Sequence, residues 1–128
     1  MYKIIPTVAF FTISTALTPA SAESGRPHGC PARAWCGCFL SKHLGLNNRS
    51  LWLARNWARI GSASSPVSGA IVVWRHHVGL IKRVTSRGKA IVLSGNDGRR
   101  VRERERTISN AIAFRILGFP HYTTARRD

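Results

Sequence analysis

Acidic side chains are scarce in this chain. Five Asp and Glu stand against 20 Lys and Arg in 128 residues, which excludes a neutral surface. No internal repeat is present, which excludes a repeat array. Beyond the first 22 residues there is no apolar run near the roughly 20 residues needed to cross a bilayer. The cysteines number three, an odd count that excludes complete pairing within one chain. No small-residue pattern leads into Cys30, which excludes a lipid-attachment cysteine there.

The first 22 residues read differently from the rest. Met1-Tyr2-Lys3 gives a short basic start, Ile4 to Leu17 is uncharged and mostly apolar, and Pro19-Ala20-Ser21-Ala22 supplies a small-x-small pattern. That is the layout of a secretory signal peptide, so the protein is expected to be secreted or periplasmic. Cleavage after Ala22 leaves 106 of the 128 residues, enough for one domain with one modest core. Residues 23–120 are expected to form that domain, and residues 121–128 a loose tail. The expected mature form is monomeric and has no membrane span.

Only Lys3 among the basic residues lies in the first 22. The remainder carries 19 basic and 5 acidic residues, a net charge of +14. Such a field attracts polyanions. For an exported protein the expected partner is peptidoglycan or another anionic envelope polymer. The alternative without catalysis is a cationic binding protein of the envelope or of nucleic acid, with affinity that falls steeply with salt. Export also matters for the thiols, which tend to pair outside the cytoplasm. An unpaired third thiol there implies a use.

Periodicity sets the elements. A helix is expected from near Ala34, with Cys36, Phe39, Leu40, His43 and Leu44 on one stripe and Gly45 as its stop. A second is expected from Asn48 or Ser50 to Gly61, with Leu53, Trp57 and Ile60 on one face. After the small-residue loop 61–69 the period changes to that of strands: "GAIVVW", "HVGLIKRV", "KAIVLSGN", "RVRERERT" and "AIAFRIL". The fourth alternates, with one apolar residue among charges, and reads as an exposed or edge strand. The fold class is therefore α+β, with N-terminal helices on one face of a five-stranded antiparallel meander.

Hairpin arithmetic then points to a site. If "TSRG", residues 85–88, is a four-residue loop, Val84 pairs with Lys89 and His77 stands opposite Asn96. Directly opposed Cβ atoms lie roughly 4.5–5.5 Å apart, so the amide can orient the imidazole and leave its other nitrogen as a base. Gly79, Ile81, Ala90, Val92 and Ser94 share the face of His77, and small residues there would let a helix approach. Cys36, near a helix N-terminus, is placed where dipole and amides favour a thiolate. Nucleophile, base and orienting amide together follow the logic of cysteine acyl transfer. A buried structural thiol is the plain alternative for Cys36, and a turn residue for Asn96.

With those residues in place, "WCGCFL", "LARNW", "GAIVVWRHHVGLI" and "SGNDG" resemble the NlpC/P60-like and CHAP-like cysteine peptidase/amidase superfamily of cell-wall hydrolases, in particular a small exported subgroup. The resemblance spans roughly residues 29–118. It implies a papain-like fold, cleavage of amide bonds in peptidoglycan stem peptides, Cys36 as nucleophile, His77 rather than His76 as base, and Asn96 as the orienting residue. The extra cysteines 30 and 38 and the short chain depart from the family pattern. With Cys36 assigned by the resemblance, Cys30 and Cys38 are left to pair; Cys36 and Cys38, two apart on a helix, do not face each other. The rival chemistry is a Cys₃His zinc set of Cys30, Cys36, Cys38 and His76 or His77. Its C-x5-C-x-C spacing is not that of a usual knuckle, so no metal and no cofactor is expected. Arg75 and the group Arg99, Arg100 and Arg102 are candidates for attracting stem-peptide carboxylates.

Overall fold

A computed structural model describes residues 25–118. The expected signal segment 1–22 and tail 121–128 lie outside the described residues. Within them the order is one α-helix, α1 (Cys36–His43), two 3-10 turns (Arg49–Trp52 and Ala54–Arg59), and six strands: β1 (Ser62–Ala63), β2 (Ile71–Val73), β3 (Val78–Ser86), β4 (Lys89–Ser94), β5 (Arg102–Thr107) and β6 (Ala113–Ile116). The class is α+β with one antiparallel sheet, as expected, but the sheet has six strands rather than five, in the order β1-β6-β2-β3-β4-β5. The added strand is the two-residue β1 on β6, too short to leave a periodic signal. β2 to β5 form the expected meander. β6 then crosses back to pair with β2, which leaves β5 as an edge.

α1 begins two residues later than expected because Ala34 sits at φ 48, outside right-handed helical space. Trp35 precedes the helix and offers no side-chain cap, so first-turn amides stay available for other acceptors. Residues Cys36 to Ser41 are all buried. Instead of one stripe, the whole first turn and a half is enclosed, while His43 is exposed and stacks on Phe39 with ring centroids 5.6 Å apart. Gly45 ends the segment at φ 70.

The expected second helix is broken into two 3-10 turns at Leu53, whose backbone is extended (φ −86, ψ 114). Side chains take the carbonyls that a continuous helix would need. Asn56 Nδ2 donates to Ser50 O at 2.7 Å and the buried Trp57 Nε1 to Leu51 O at 2.6 Å. Asn48 caps the first turn by accepting from the Ser50 amide at 3.0 Å. Trp57 is fully buried, whereas Leu53 is 50% exposed, so the expected shared face of Leu53, Trp57 and Ile60 does not form.

Two apolar layers flank the sheet. α1 and the turns pack with Ile71, Val73, Val78, Leu80 and Leu93 on one face. Val72, Trp74, Ile81, Ala90, Val92 and Ile108 gather on the other. The helix therefore lies on the face opposite to the expected one of Gly79, Ile81 and Val92, where Ile71, Val73, Val78, Leu80 and Leu93 of three adjacent strands offer it an apolar surface. A disulfide joins Cys30 to Cys38 (Cα–Cα 5.8 Å) and ties the lead-in segment to α1.

Glycines set how near α1 can come. A Cβ at Gly37 would run into the Leu51 carbonyl, and one at Gly95 would lie 2.5 Å from Phe39 Cβ. Gly95→Ala is expected to destabilise the fold by about 1–3 kcal/mol through overpacking, measured as the midpoint of urea unfolding. An unchanged midpoint would contradict the close seating of α1 on the end of β4.

Candidate functional site

The β3–β4 register delivers the site from an unexpected hairpin. The turn is tighter than a four-residue loop: Ser86 pairs with Lys89 and Val84 with Ala90. Two register shifts, between Ile81 and Arg83 and between Val84 and Ser86, absorb the difference, so that Leu80 faces Leu93 and Ile81 faces Val92 as expected. At the far end β3 starts at Val78, after a tight turn closed by the Trp74 amide donating to His77 O at 2.8 Å. β4 ends at Ser94. His77 and Asn96 both lie beyond the ladder, and no hydrogen bond joins them among the described residues. Asn96 is in a turn at φ 53. The Nε2 of His77 is buried without a partner.

Cys36, the first residue of α1, is 2% exposed and carries the free thiol among the described residues. Burial pushes its pKa up, and this outweighs the opposing effect of the backbone amides of Val78, Gly37 and Cys36 itself and of the Arg106 charge. The structure thus brings the sulfur to the amide of the residue that follows His77. The zinc set is not assembled, since Cys30 and Cys38 are bonded to each other and therefore carry no thiolate for a metal.

The residues around His77 include several that sequence reasoning missed. Asp97, the residue after Asn96 in "SGNDG", is 3% exposed. It accepts a two-pronged hydrogen bond from Arg104 (Nε at 2.7 Å, Nη2 at 2.8 Å) and an ion pair from Arg106 at 3.2 Å. Burial opposes its ionisation, but the Arg104 hydrogen bonds and the charges of both arginines win, and the carboxyl titrates below its ordinary value. Arg106 lies 5.0 Å over the Trp74 ring, and that ring is 5.7 Å from the imidazole of His77. Trp74 Nε1 is held by Asn110 Oδ1 at 3.0 Å. The alternation in "RVRERERT" was the available signal, because it places Arg102, Arg104 and Arg106 on the face of Ser94, Val92 and Ala90.

Trp74, His77, Arg104, Arg106 and Asn110 line an open groove of about 600 Å³, to which Arg75 and His76 also contribute. Cys36 is not part of its lining. Of the arginines expected to attract carboxylates, Arg75 lines the groove, whereas Arg102 folds over the Gly98 turn. Burial first, then the charge of Arg106, lowers the His77 pKa from 6.5 to about 4, with Asp97 opposing and Arg104 adding to the fall. At neutral pH the imidazole and the thiol are both uncharged. That rules against a standing thiolate–imidazolium pair, so any transfer of the thiol proton to His77 must accompany attack on a substrate.

The His77 shift has a sign that stability can test. The unfolded chain binds a proton near pH 6.5 and the folded one only near pH 4, so between these values the unfolded state holds more protons. Stability is expected to be fully present above pH 6.5 and to fall as pH drops toward 4. In His77→Gln that part of the pH dependence, at most one proton, is expected to vanish from denaturation midpoints.

Compared with known families, curated proteins and solved structures, the chain matches no family model, no curated protein and no solved structure.

Proposed function

We propose that this chain is an exported cysteine amidase or peptidase of the NlpC/P60-like, papain-like kind, and that it cleaves amide bonds of peptidoglycan stem peptides with Cys36 as nucleophile and His77 as base. The observation that carries this reading is the seating of a free thiol, at the first residue of α1, against the amide next to a histidine whose Nε2 is buried and unpartnered. The Cys30–Cys38 disulfide supports it twice. It fits an oxidising compartment, and it keeps Cys36 from being used up as a structural partner.

The reaction follows from two neutral groups. As the amide carbonyl arrives, His77 accepts the thiol proton and the sulfur attacks the carbonyl carbon. The backbone amide of Cys36 is the oxyanion donor assigned here; one such donor is worth roughly 10²–10³ in rate. His77 returns its proton to the departing amine, leaving a thioester. Water then attacks the thioester with His77 again as base, the carboxylic acid leaves, and the thiol is restored. Asn96 is the orienting residue in this reading and must reach the ring when substrate binds. Because Cys36 is 2% exposed and does not line the groove, substrate binding must also uncover the thiol. That burial, with the net basic charge, is the observation favouring the second reading, a non-catalytic binder of anionic envelope polymers or nucleic acid.

Incubation of the protein lacking residues 1–22 with purified peptidoglycan is expected to release soluble fragments. Cys36→Ala is expected to release none while still binding the polymer. Equal release by the variant would remove Cys36 from the chemistry, and no release by either would leave the binding protein. The pH profile is a separate check. With His77 uncharged down to about pH 4, kcat/KM is expected to stay level through pH 5–7 and to fall only near 4. An acid limb at the ordinary imidazole value of 6.5 would contradict the base as described.

A further inference from the structure

The groove beside His77 has charge to spare on one wall. Arg104 gives two donors, Nε and Nη2, to the two oxygens of Asp97, while Arg106 meets that carboxylate through Nη1 alone, at 3.2 Å. Arg106 is also fixed in place by the Trp74 ring beneath it. Across the turn, Arg75 lines the same groove, is exposed, and has no ion pair or hydrogen bond among the described residues. The groove's own carboxylate, Glu105, is 4.0 Å from Lys89 on the adjacent strand. Two guanidinium groups therefore face a polar space next to the base, and neither has its donors filled.

We propose that this groove is a carboxylate subsite: Arg75 and Arg106 hold the side-chain or α-carboxylate of an acidic peptide residue adjoining the amide that His77 and Cys36 cut. The inference deepens the hydrolase reading and rests on it. A guanidinium presents paired N–H donors that match the two oxygens of a carboxylate, and Arg106, already oriented by its aromatic contact, loses little freedom on binding. The Trp74 ring, in contact with both Arg106 and His77, gives the peptide a wall. The substrate class is then an anionic peptide, and a neutral peptide of the same shape is a poor one.

The test reads binding on the inactive Cys36→Ala protein, so it does not depend on turnover. Two probes are compared, the acetylated and amidated tripeptides Ala-Glu-Ala and Ala-Gln-Ala, which differ by one charge at nearly equal shape. A charge-assisted hydrogen bond contributes about 1.5–3 kcal/mol, so the Glu peptide is expected to bind roughly 10–100-fold tighter. Arg75→Gln, a change on an exposed turn, is expected to remove most of that preference. Equal affinity for the two peptides overturns the subsite, as does a preference that survives Arg75→Gln. Tripolyphosphate binding more tightly than the Glu peptide also overturns it, in favour of a phosphate polymer. Discrimination on Cys36→Ala together with absent cleavage by the parent would uphold the subsite and remove the hydrolase. Cleavage without discrimination would do the reverse.

Discussion

The contact between the start of α1 and the ends of β3 and β4 decides where everything else lies. Gly37 lets the helix back onto the carbonyls of Leu51 and Trp52, and Gly95 lets Phe39 and Trp35 settle at the end of β4. The Cys30–Cys38 disulfide clamps the segment before the helix to its first turn. Held on both sides, the helix can put its first side chain in one place, against the Val78 amide. Because Trp35 supplies no capping oxygen, the first-turn amides turn toward sulfur instead.

Electrostatics at the site are organised by a single carboxylate. Asp97 is the buried acid among the described residues, and it neutralises part of a row of arginines that β5 lays along one face. Without it, Arg104 and Arg106 would stand near His77 uncompensated, and both already push the imidazole toward its neutral form. The pair is not a simple source of stability, since burying a charge costs about as much as its partners return. Its effect lies in position: it holds Arg106 on Trp74 and Trp74 on the imidazole. In so basic a protein, placing one of five acids there is a choice about charge at a point rather than about the net total.

Much of this was legible from residues alone, and the failures have physical causes. The strands from "GAIVVW" to "AIAFRIL" stood out because β-branched runs are bounded by turn residues, whereas Cys36 and His77 were picked out by residue type and by the family resemblance. The register reached the right answer at Leu80 and Leu93 although the hairpin differs, since two shifts made up for two residues; irregular pairing of that kind has no sequence mark. The second helix was misjudged because Asn56 and Trp57 look like helix residues until their side chains are seen to occupy Ser50 O and Leu51 O. The face that α1 covers was misassigned because small residues at Gly79 and Ser94 invite close packing, yet what they admit is their own cross-strand neighbours. Asp97 was hidden in plain view: in "NDG" a turn former and a buried ion-pair partner are written with the same letter.

The edge strand β5 carries a last consequence. An unpaired sheet edge invites a second copy to add on. If two β5 strands met antiparallel about a two-fold axis, residues facing each other would have to lie on the same side of the enlarged sheet. Since Arg102, Arg104 and Arg106 occupy one side and Glu103 and Glu105 the other, every such arrangement would set cation against cation and anion against anion. Like charges directly opposed repel. The strict alternation therefore works against this edge pairing with its own copy: the strand can complete its own sheet but meets like charge in a symmetric mate.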